Sequence, residues 1–162
     1  MCPDIRVGHG YDVHRLDSDR ELYLGGIKIP HTHGLLGHSD ADVLLHALMD
    51  AMLGAASMPD IGKLFPDSDA QYKGVRSTEL LRSVFARLQT AGYRLGNADI
   101  TVIAQSPKLS PYIDKMRACI AEILSVDIGR IGIKATTEEG LGFTGSGEGI
   151  AAHAVVLLFR EN

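Results

Sequence analysis

The stretch around which this chain is organised is Gly8-His9-Gly10-Tyr11-Asp12-Val13-His14, close to the N-terminus. If this stretch forms a β-strand, the side chains of Asp12 and His14 lie two residues apart on one face of the sheet. A carboxylate and an imidazole in that arrangement can bind one metal ion. The alternative is an ordinary turn aspartate beside an ordinary surface histidine, because motifs this short often occur by chance.

A second segment, His38-Ser39-Asp40 and the residues up to His46, could supply a third metal ligand. Ser39 followed by Asp42 resembles a capping box, with Asp in place of the usual Glu or Gln, and predicts the start of a helix that carries His46. Asp, His and His form a ligand set that zinc accepts. Three protein ligands leave a fourth position open for a substrate or a water molecule.

Two aspartates, Asp42 and Asp50, each lie four residues from His46, so the three side chains share one stripe of the predicted helix. Either carboxylate could orient the His46 ring by accepting a hydrogen bond from it. The alternative is that both aspartates belong to a polar face in contact with water. The sequence leaves these two interpretations open.

Length and composition predict one soluble domain, residues 1–162, with a sizeable hydrophobic core. The 162 residues are 45% hydrophobic and 22% charged, which are ordinary values for a globular protein. A formal net charge of -4 argues against a nucleic-acid-binding protein, which usually carries a basic face. Cys2 and Cys119 have neither metal nor redox spacing and indicate a reducing compartment. With no signal peptide and no apolar run of membrane-spanning length, we expect a cytoplasmic protein without a membrane partner.

Turn signals and hydrophobic periodicity predict an alternation of strands and helices. From the N-terminus these are a strand over residues 5–13, a hairpin of Glu21–Leu24 and Ile27–Ile29, a helix from Ser39 to about Ala56, a helix from Ser77 to Gly92, a strand over Asp99–Gln105, a helix from Ser110 to Leu124, and strands over Ile131–Thr137 and Ile150–Phe159. This order predicts an α/β (α+β) fold with a four- or five-stranded mixed sheet and helices packed on one face. The last strand is apolar at nearly every position, which predicts that both of its faces are covered.

Several segments outside the metal motif could bind phosphate or a second cation. The helix start at His38-Ser39 offers unpaired backbone N–H groups to an anion, and Lys108 could hold a phosphate as a point charge. Glu138 and Glu139 could bind an oxygen-preferring ion such as magnesium. The lysine and the two glutamates could equally be solvated surface residues. The glycines from 142 to 149 do not form a nucleotide-binding P-loop, because that motif needs Lys-Ser/Thr and a following helix.

Taken together, these segments resemble the 2-C-methyl-D-erythritol 2,4-cyclodiphosphate synthase family. The resemblance extends over nearly the whole chain and rests on Gly8–His14, His38–His46, Asp60–Asp67, Ala104–Lys108, Lys134–Glu139 and Leu141–Gly149. The blocks D-V-H, H-S-D-x-D-x-x-x-H and D-I-G-K-L-F-P-D occur in the family's order, and their combination is highly specific.

The resemblance implies an enzyme of the non-mevalonate route to isoprenoids. Its substrate would be 4-diphosphocytidyl-2-C-methyl-D-erythritol 2-phosphate, which is cyclised with release of CMP. The family resemblance also implies a homotrimer with three active sites at subunit interfaces, and zinc together with magnesium or manganese as cofactors. Two other interpretations stay open: a zinc-dependent phosphoesterase that uses water as its nucleophile, and a non-catalytic, metal-stabilised trimeric binding module.

The family resemblance also assigns roles to individual residues. Zinc is assigned to Asp12, His14 and His46, and magnesium or manganese to Glu139, while His38 and Thr137 are expected near the phosphate that is transferred. The residues expected to contact the substrate are Asp12, Val13, His14, His38, Ser39, Asp60, Ile61, Gly62, Phe65, Pro66, Asp67, Ser68, Asp69, Ala104, Gln105, Ser106, Pro107, Lys108, Leu109, Ser110, Thr136, Thr137, Glu138, Glu139, Phe143 and Ser146.

This chain departs from the family pattern at Ser146. Members of the family commonly carry an arginine within this F-T-G-x-G-E-G segment, facing a cavity along the trimer axis. With an aromatic side chain that matches Phe143, that arginine can hold the diphosphate of an isoprenoid. A serine offers one neutral hydroxyl in place of a permanently charged, planar guanidinium. The sequence therefore predicts an active synthase that lacks this isoprenoid diphosphate site.

Overall fold

The computed structural model describes residues 4–160, so Cys2 lies outside the described residues. The strands are β1 (Asp4–Asp17), β2 (Leu22–Leu24), β3 (Ile27–Ile29), β4 (Gly34–Leu35), β5 (Tyr93–Ile103), β6 (Ile131–Thr136) and β7 (Gly149–Arg160). The helices are α1 (Val43–Ala55), α2 (Ile61–Leu64), α3 (Ser77–Thr90), α4 (Ile113–Ile123) and α5 (Gly142–Gly145), with 3₁₀ turns at Ala70–Tyr72, Ser110–Tyr112 and Ile128–Arg130.

Five strands form one mixed sheet in the order β4-β1-β7-β5-β6, and β2 and β3 form a separate hairpin. Strands β5 and β6 run parallel, whereas the other neighbouring pairs in the sheet are antiparallel. The predicted α/β class is confirmed, and the sheet has the larger of the two predicted strand numbers. Within residues 4–160, no helix is both long and apolar enough to cross a membrane.

One face of the sheet carries the core, and helices α1, α3 and α4 pack against it. The first residues of β7 are all buried, but from Ala152 onward buried residues alternate with more accessible ones, since successive residues of a strand point to opposite faces. Ala154 and Val156 are buried, whereas His153 and Val155 are exposed on the other face. The second face of this part of the strand is therefore not covered within one chain, and its burial against neighbouring subunits stays a prediction.

Two glycines of the first strand determine how closely helix α1 approaches the sheet. A Cβ added to Gly8 would lie 1.9 Å from the carbonyl oxygen of Ala51, and one added to Gly10 would lie 1.9 Å from that of Ala47. Any larger side chain at either glycine would push the helix away. The close approach brings His46, next to Ala47 on the helix, over the strand residues that follow Gly10.

The start of α1 differs from the predicted capping box. Asp42, and not Ser39, is the N-cap, and its carboxylate accepts the Leu45 N–H at 3.1 Å. The same carboxylate accepts the N–H groups of Gly25 at 3.0 Å and Gly26 at 2.7 Å. Asp42 is fully buried, so it ties the β2–β3 turn to the helix and does not belong to a solvated face.

Other boundaries also differ from the predicted ones. Strand β5 begins at Tyr93, well before the predicted Asp99, because it follows α3 through one tight turn. Helix α3 begins at Ser77 itself, after Arg76, which makes no side-chain cap. Helix α4 begins at Ile113, after the 3₁₀ turn that contains Ser110. Residues Ile61–Leu64, for which no element was predicted, form α2.

Candidate functional site

Three possible metal ligands converge where β1 passes beneath α1. Oδ2 of Asp12 lies 3.0 Å from Nε2 of His14 and 3.1 Å from Nδ1 of His46. The two imidazole nitrogens are 3.2 Å apart. Within residues 4–160 this is the one group of three or more His, Cys, Asp or Glu side chains whose donor atoms converge in this way. The convergence expected from the strand and helix spacing is therefore present, while the identity of the metal stays a prediction.

The rings of the two histidines are held by contacts at their far nitrogens. Nδ1 of His14 lies 2.7 Å from the carbonyl oxygen of Leu36, which can only accept a hydrogen bond. In the neutral ring the proton is therefore on Nδ1, and Nε2 directs its lone pair toward Asp12. Nε2 of His46 lies 2.9 Å from the hydroxyl of Ser77, so Nδ1 of His46 is the nitrogen that faces the cluster. A cation between these three electron-rich atoms satisfies all of them, and the donor set therefore fits a divalent metal.

The electrostatics of the cluster also favour a bound cation. Burial opposes ionisation of Asp12, but the hydrogen bonds that the His14 and His46 rings donate to it in their charged form, together with that charge, outweigh burial and lower the pKa of the carboxyl group. Burial also opposes protonation of His14. Its hydrogen bond to Asp12, the charge of that carboxylate and the Leu36 carbonyl nevertheless raise its pKa above the ordinary value. The site thus keeps its carboxylate ionised and attracts positive charge.

A cavity of about 270 Å³ opens beside the cluster. Eight of the residues predicted to contact the substrate line this cavity, as does His46. The eight are Asp12, His14, His38, Ser39, Ile61, Gly62, Phe65 and Asp67. The other lining residues, which were not predicted from the sequence, are Leu36, Gly37, Tyr72, Val75 and Leu80. These residues form an uncharged wall in which the Tyr72 ring packs edge-on against Phe65 at 5.3 Å. Their contribution is to shape, for which single residues carry no sequence signal.

His38 contributes a polar atom without a partner to this cavity. Its Nε2 is buried and is the one buried side-chain nitrogen or oxygen that lacks a hydrogen-bond partner within residues 4–160. A buried polar atom without a partner is costly, so such an atom in a binding cavity indicates that a ligand completes its hydrogen bonding. This observation is consistent with the prediction that His38 lies near a phosphate.

Other residues predicted to contact the substrate lie outside the first cavity. Asp60 and Asp69 accept backbone N–H groups, at 2.9 Å from Lys63 and 3.1 Å from Gln71, and so cap α2 and the following 3₁₀ turn. Pro66 and Ser68 do not line the cavity. Val13 points to the opposite face of β1 from its neighbours, where it lines a small cavity of about 190 Å³ with Phe143.

A second cavity, of about 360 Å³, lies at the carboxyl ends of the parallel strands β5 and β6. Its lining residues are Ala104, Gln105, Pro107, Lys108, Leu109, Ser110, Ala135, Thr136 and Thr137. The Ala104 N–H donates to the Thr136 carbonyl at 3.0 Å and holds the two loops together. The open end of parallel strands is a common place for ligands in α/β proteins. This cavity shares no lining residue with the first.

The two neighbouring glutamates have different surroundings. The carboxylate of Glu138 accepts a hydrogen bond from the hydroxyl of Thr144, which is buried on α5. The Glu139 side chain is exposed and makes no hydrogen bond or ion pair with any described residue from 4 to 160. Glu139 therefore has the freer carboxylate of the two and is the better candidate for binding a cation.

The two aspartates on the α1 stripe do not orient His46. Asp42 is the buried cap already described, and Asp50 accepts the Ile61 N–H at 2.9 Å. Neither carboxylate hydrogen bonds with the His46 ring in the described part of the chain. The side chains that do contact Nε2 are the hydroxyls of Ser77 at 2.9 Å and Ser39 at 3.3 Å. From the sequence, Ser77 was predicted only to begin a helix.

The chain is similar in sequence to proteins that share a single name. The YgbB family matches residues 5–159. A relative from Trichlorobacter lovleyi named 2-C-methyl-D-erythritol 2,4-cyclodiphosphate synthase is 61% identical over 157 residues, which are 97% of this chain and 100% of that protein. A protein of the same name from Clostridioides difficile is 58% identical over 95% of this chain and 96% of its own length.

Solved structures share the fold. The bifunctional IspDF from Campylobacter jejuni has a TM-score of 0.95 at 45% identity, covering 99% of this chain and 44% of that chain. The present chain thus spans less than half of the bifunctional protein. IspF from Plasmodium falciparum in complex with CDP has a TM-score of 0.85 at 37% identity, covering 98% of this chain and 97% of that chain.

Proposed function

The chain belongs to the YgbB family, with the 2-C-methyl-D-erythritol 2,4-cyclodiphosphate synthases, and we propose that it catalyses the cyclisation for which these relatives are named. The substrate is 4-diphosphocytidyl-2-C-methyl-D-erythritol 2-phosphate, and the products are the 2,4-cyclodiphosphate and CMP. The observation that carries the proposal is the convergence of Asp12, His14 and His46 beside a cavity. The chain that carries this cluster is 61% identical to the Trichlorobacter lovleyi synthase over 97% of the chain's own length.

We assign zinc to Oδ2 of Asp12, Nε2 of His14 and Nδ1 of His46, and magnesium or manganese to Glu139. The support for zinc is the donor set and its orientation, and the support for the second ion is the free Glu139 carboxylate. When bound, such ions supply Lewis-acid charge stabilisation and a template for the two phosphates. The remaining steps rest on side chains of the chain itself.

The reaction joins two phosphates within one molecule. An oxygen of the 2-phosphate bonds to the β-phosphorus, the bond from that phosphorus to the bridging oxygen breaks, and CMP leaves with the electron pair. The second pKa of a phosphate monoester is about 6, so the nucleophile is largely ionised at neutral pH and needs no general base. What the protein must supply is positioning and charge stabilisation, which carry most phosphoryl-transfer catalysis.

His38 and Thr137 are suited to positioning the phosphates. The buried Nε2 of His38 has no partner within residues 4–160, so it can hydrogen bond with a phosphate oxygen in the first cavity. The Thr137 oxygen accepts the Glu139 N–H at 3.3 Å, which leaves its hydroxyl proton available to a phosphate oxygen. We place the methylerythritol phosphate in the first cavity and the cytidine diphosphate in the second. That the Plasmodium falciparum relative was solved in complex with CDP supports a cytidine nucleotide as ligand.

We propose that the protein acts as a homotrimer with active sites between subunits. The open face of the sheet carries Ile5, Val7, Tyr11, Val13 and Val155, and Val7 is 67% exposed. An exposed apolar face of this kind is typical of a surface buried against other copies of the chain. The two cavities also share no lining residue within one chain, and an interface between copies can bring the first cavity of one chain against the second cavity of its neighbour.

The remaining assignments follow the family. We propose that residues 1–162 form one synthase domain that acts in the cytoplasm and binds neither nucleic acid nor a membrane. Its partners are then the nucleotide substrate, the metal ions and two further copies of itself. Support comes from the match over residues 5–159 and from the acidic net charge of -4.

Phosphorus NMR of the protein incubated with its substrate tests the proposal. Cyclisation yields the resonances of a cyclic diphosphate together with CMP. A phosphoesterase built on the same three ligands releases inorganic phosphate instead, and a binding module gives no turnover. Either of those outcomes, in protein loaded with zinc and magnesium, would contradict the proposal.

A further inference from the structure

We infer that Ser77, supported by Asp40, is a positioning residue for the His46 metal ligand. The inference rests on the proposed metal site but concerns residues that do not touch the metal or the substrate. Ser77 is the first residue of α3, Asp40 precedes α1, and His46 lies within α1. Ser77 therefore comes from a different helix than His46, and the three side chains meet at the His46 nitrogen that faces away from Asp12 and His14.

The three side chains form one buried chain of hydrogen bonds. The Ser77 oxygen lies 2.9 Å from Nε2 of His46, and the Ser77 hydroxyl donates to Oδ1 of Asp40. Oδ2 of the same carboxylate accepts the Ser77 N–H at 3.0 Å and the Arg76 Nε–H at 3.1 Å. Ser77 is 0% exposed, and Asp40 and His46 are each 8% exposed. Water has little access to compete with these bonds.

The direction of each bond follows from which groups can donate. The carboxylate of Asp40 already accepts an N–H from Ser77 and one from Arg76, an arrangement that suits an ionised, accepting group. The Ser77 hydroxyl proton is therefore committed to Asp40, and the Ser77 oxygen can only accept from His46. This fixes the proton of a neutral His46 on Nε2 and leaves the lone pair on Nδ1, which points at Asp12 and His14.

Ser39 is less suited than Ser77 to accept the hydrogen bond from Nε2 of His46. Its oxygen is 3.3 Å from Nε2 of His46 and already accepts the Ala41 N–H at 3.1 Å. The other histidine, His14, has its tautomer fixed by the Leu36 backbone carbonyl, which no substitution removes. The tautomer of His46 thus depends on a side-chain hydroxyl, which a substitution can remove. Outer partners of ligating histidines of this kind typically affect metal affinity by about 10- to 100-fold.

A purely structural role for Ser77 is the alternative, since it also begins α3. The two roles differ in what a substitution changes. Loss of a helix start lowers the stability of the metal-free protein and leaves zinc affinity and the His46 ring unaffected. Loss of positioning weakens zinc binding and exposes the His46 Nε2–H to exchange with solvent. Ser77→Thr keeps a hydroxyl and is the matched control for Ser77→Ala.

The test measures zinc affinity by competition with a chelator in the full-length protein. We expect Ser77→Ala to bind zinc about 10- to 100-fold more weakly, Ser77→Thr to recover most of that loss, and excess zinc to restore the turnover of Ser77→Ala with an unchanged KM. Zinc affinity of Ser77→Ala equal to that of the unsubstituted protein would overturn the inference. If His46→Ala also leaves zinc binding unchanged, the proposed metal site fails, which is a different result.

A second measurement does not require a substituted protein to fold. In zinc-loaded protein labelled with nitrogen-15, the Nε2–H of His46 should give a resolved NMR signal that exchanges slowly with solvent because Ser77 accepts it. Rapid exchange of that proton in the unsubstituted protein would contradict the inference, whatever the behaviour of Ser77→Ala.

Discussion

The two cavities differ in how much of their chemistry one chain completes. In the first, the donor atoms of Asp12, His14 and His46 lie within 3.2 Å of one another, and the far nitrogen of each ring has a partner. In the second, Lys108, Thr136 and Thr137 are exposed at the ends of β5 and β6. The cluster beside the first cavity, called the metal half below, is therefore preorganised within the chain. In the function that we propose, the second cavity, called the nucleotide half below, is completed by a ligand or by a neighbouring copy.

The largest expected effect follows from removing the charge at the centre of the metal half. Asp12→Asn should lower turnover by more than about 100-fold, because several kcal/mol of charge stabilisation depend on the metal that this carboxylate holds. The protein should stay folded, since the core does not depend on Asp12. Elemental analysis and the rate of CMP release measure the two effects.

Asp114→Asn is the matched control for this substitution, because Asp114 is an exposed aspartate that pairs with Arg117 and lines neither cavity. It should bind zinc and turn over substrate normally. Near-normal turnover of Asp12→Asn in protein that contains no zinc would show that the metal half has been assigned wrongly.

A smaller effect is expected from the nucleotide half. Glu139→Gln should raise the magnesium concentration needed for half-maximal activity, on the order of tenfold, because a hard cation loses one charged oxygen ligand. Glu138→Gln is the comparison, since that carboxylate is already bound to Thr144. A magnesium titration measures both variants. If only Glu138→Gln changes the magnesium requirement, the cation is bound by Glu138 and not by Glu139.

The metal half should also respond to pH once its metal is removed. The folded-state pKa of His14 is raised above 6.5, so the stability from its pairing with Asp12 is present below pH 6.5 and lost as the pH rises through the raised value. The pKa of Asp12 is lowered from 3.8, so its contribution is lost only as the pH falls well below that value. Above pH 6.5 we therefore expect the Tm of metal-free protein to fall.

Zinc should reverse this trend, because it competes with protons for the same ligands and binds more tightly as the pH rises. Thermal melts with and without zinc from pH 6 to 8.5 measure the difference. His14→Gln should remove most of the pH dependence of the metal-free protein. A Tm of metal-free protein that rises over this range would contradict the assignment of the cluster.

The smallest expected effect concerns Ser146, which lies outside both cavities. Its hydroxyl donates to a Glu148 carboxylate oxygen at 2.8 Å, so a negatively charged group lies beside the position where the family commonly has an arginine. Charge-assisted hydrogen bonds contribute roughly 1.5–3 kcal/mol each, and this chain lacks them here. Calorimetric titration with geranyl diphosphate should show weak binding or none. Tight binding that persists in Ser146→Ala would mean that another basic residue has replaced the arginine.

The sequence predicted the metal half better than its surroundings. The spacing of Asp12 and His14 follows from the two-residue period of a strand, which tertiary contacts do not alter. The prediction that Ser39 caps α1 was wrong. Asp42 is the cap because its carboxylate also accepts hydrogen bonds from the β2–β3 turn, a contact between distant parts of the chain. The role of Ser77 could not be seen for the same reason: α3 must dock beside Asp40 before the hydroxyl meets His46.

The nucleotide half shows a different limit. Its loops were identified through the family motifs, but their local spacing does not indicate what they bind. The beginning of β5 at Tyr93 was missed because the polar residues Arg94 and Asn97 lie on the exposed face of the strand, where they interrupt an apolar pattern without interrupting the strand.

Mixing two inactive variants tests most directly whether the two halves belong to different copies of the chain. Asp12→Asn disables the metal half and Thr137→Ala the nucleotide half, and each should be nearly inactive alone. If neighbouring copies share a site, trimers assembled from equal amounts of both chains contain about a quarter of sites with two intact halves, and CMP release should recover to that fraction. A co-assembled mixture that stays as inactive as its components would contradict the shared site.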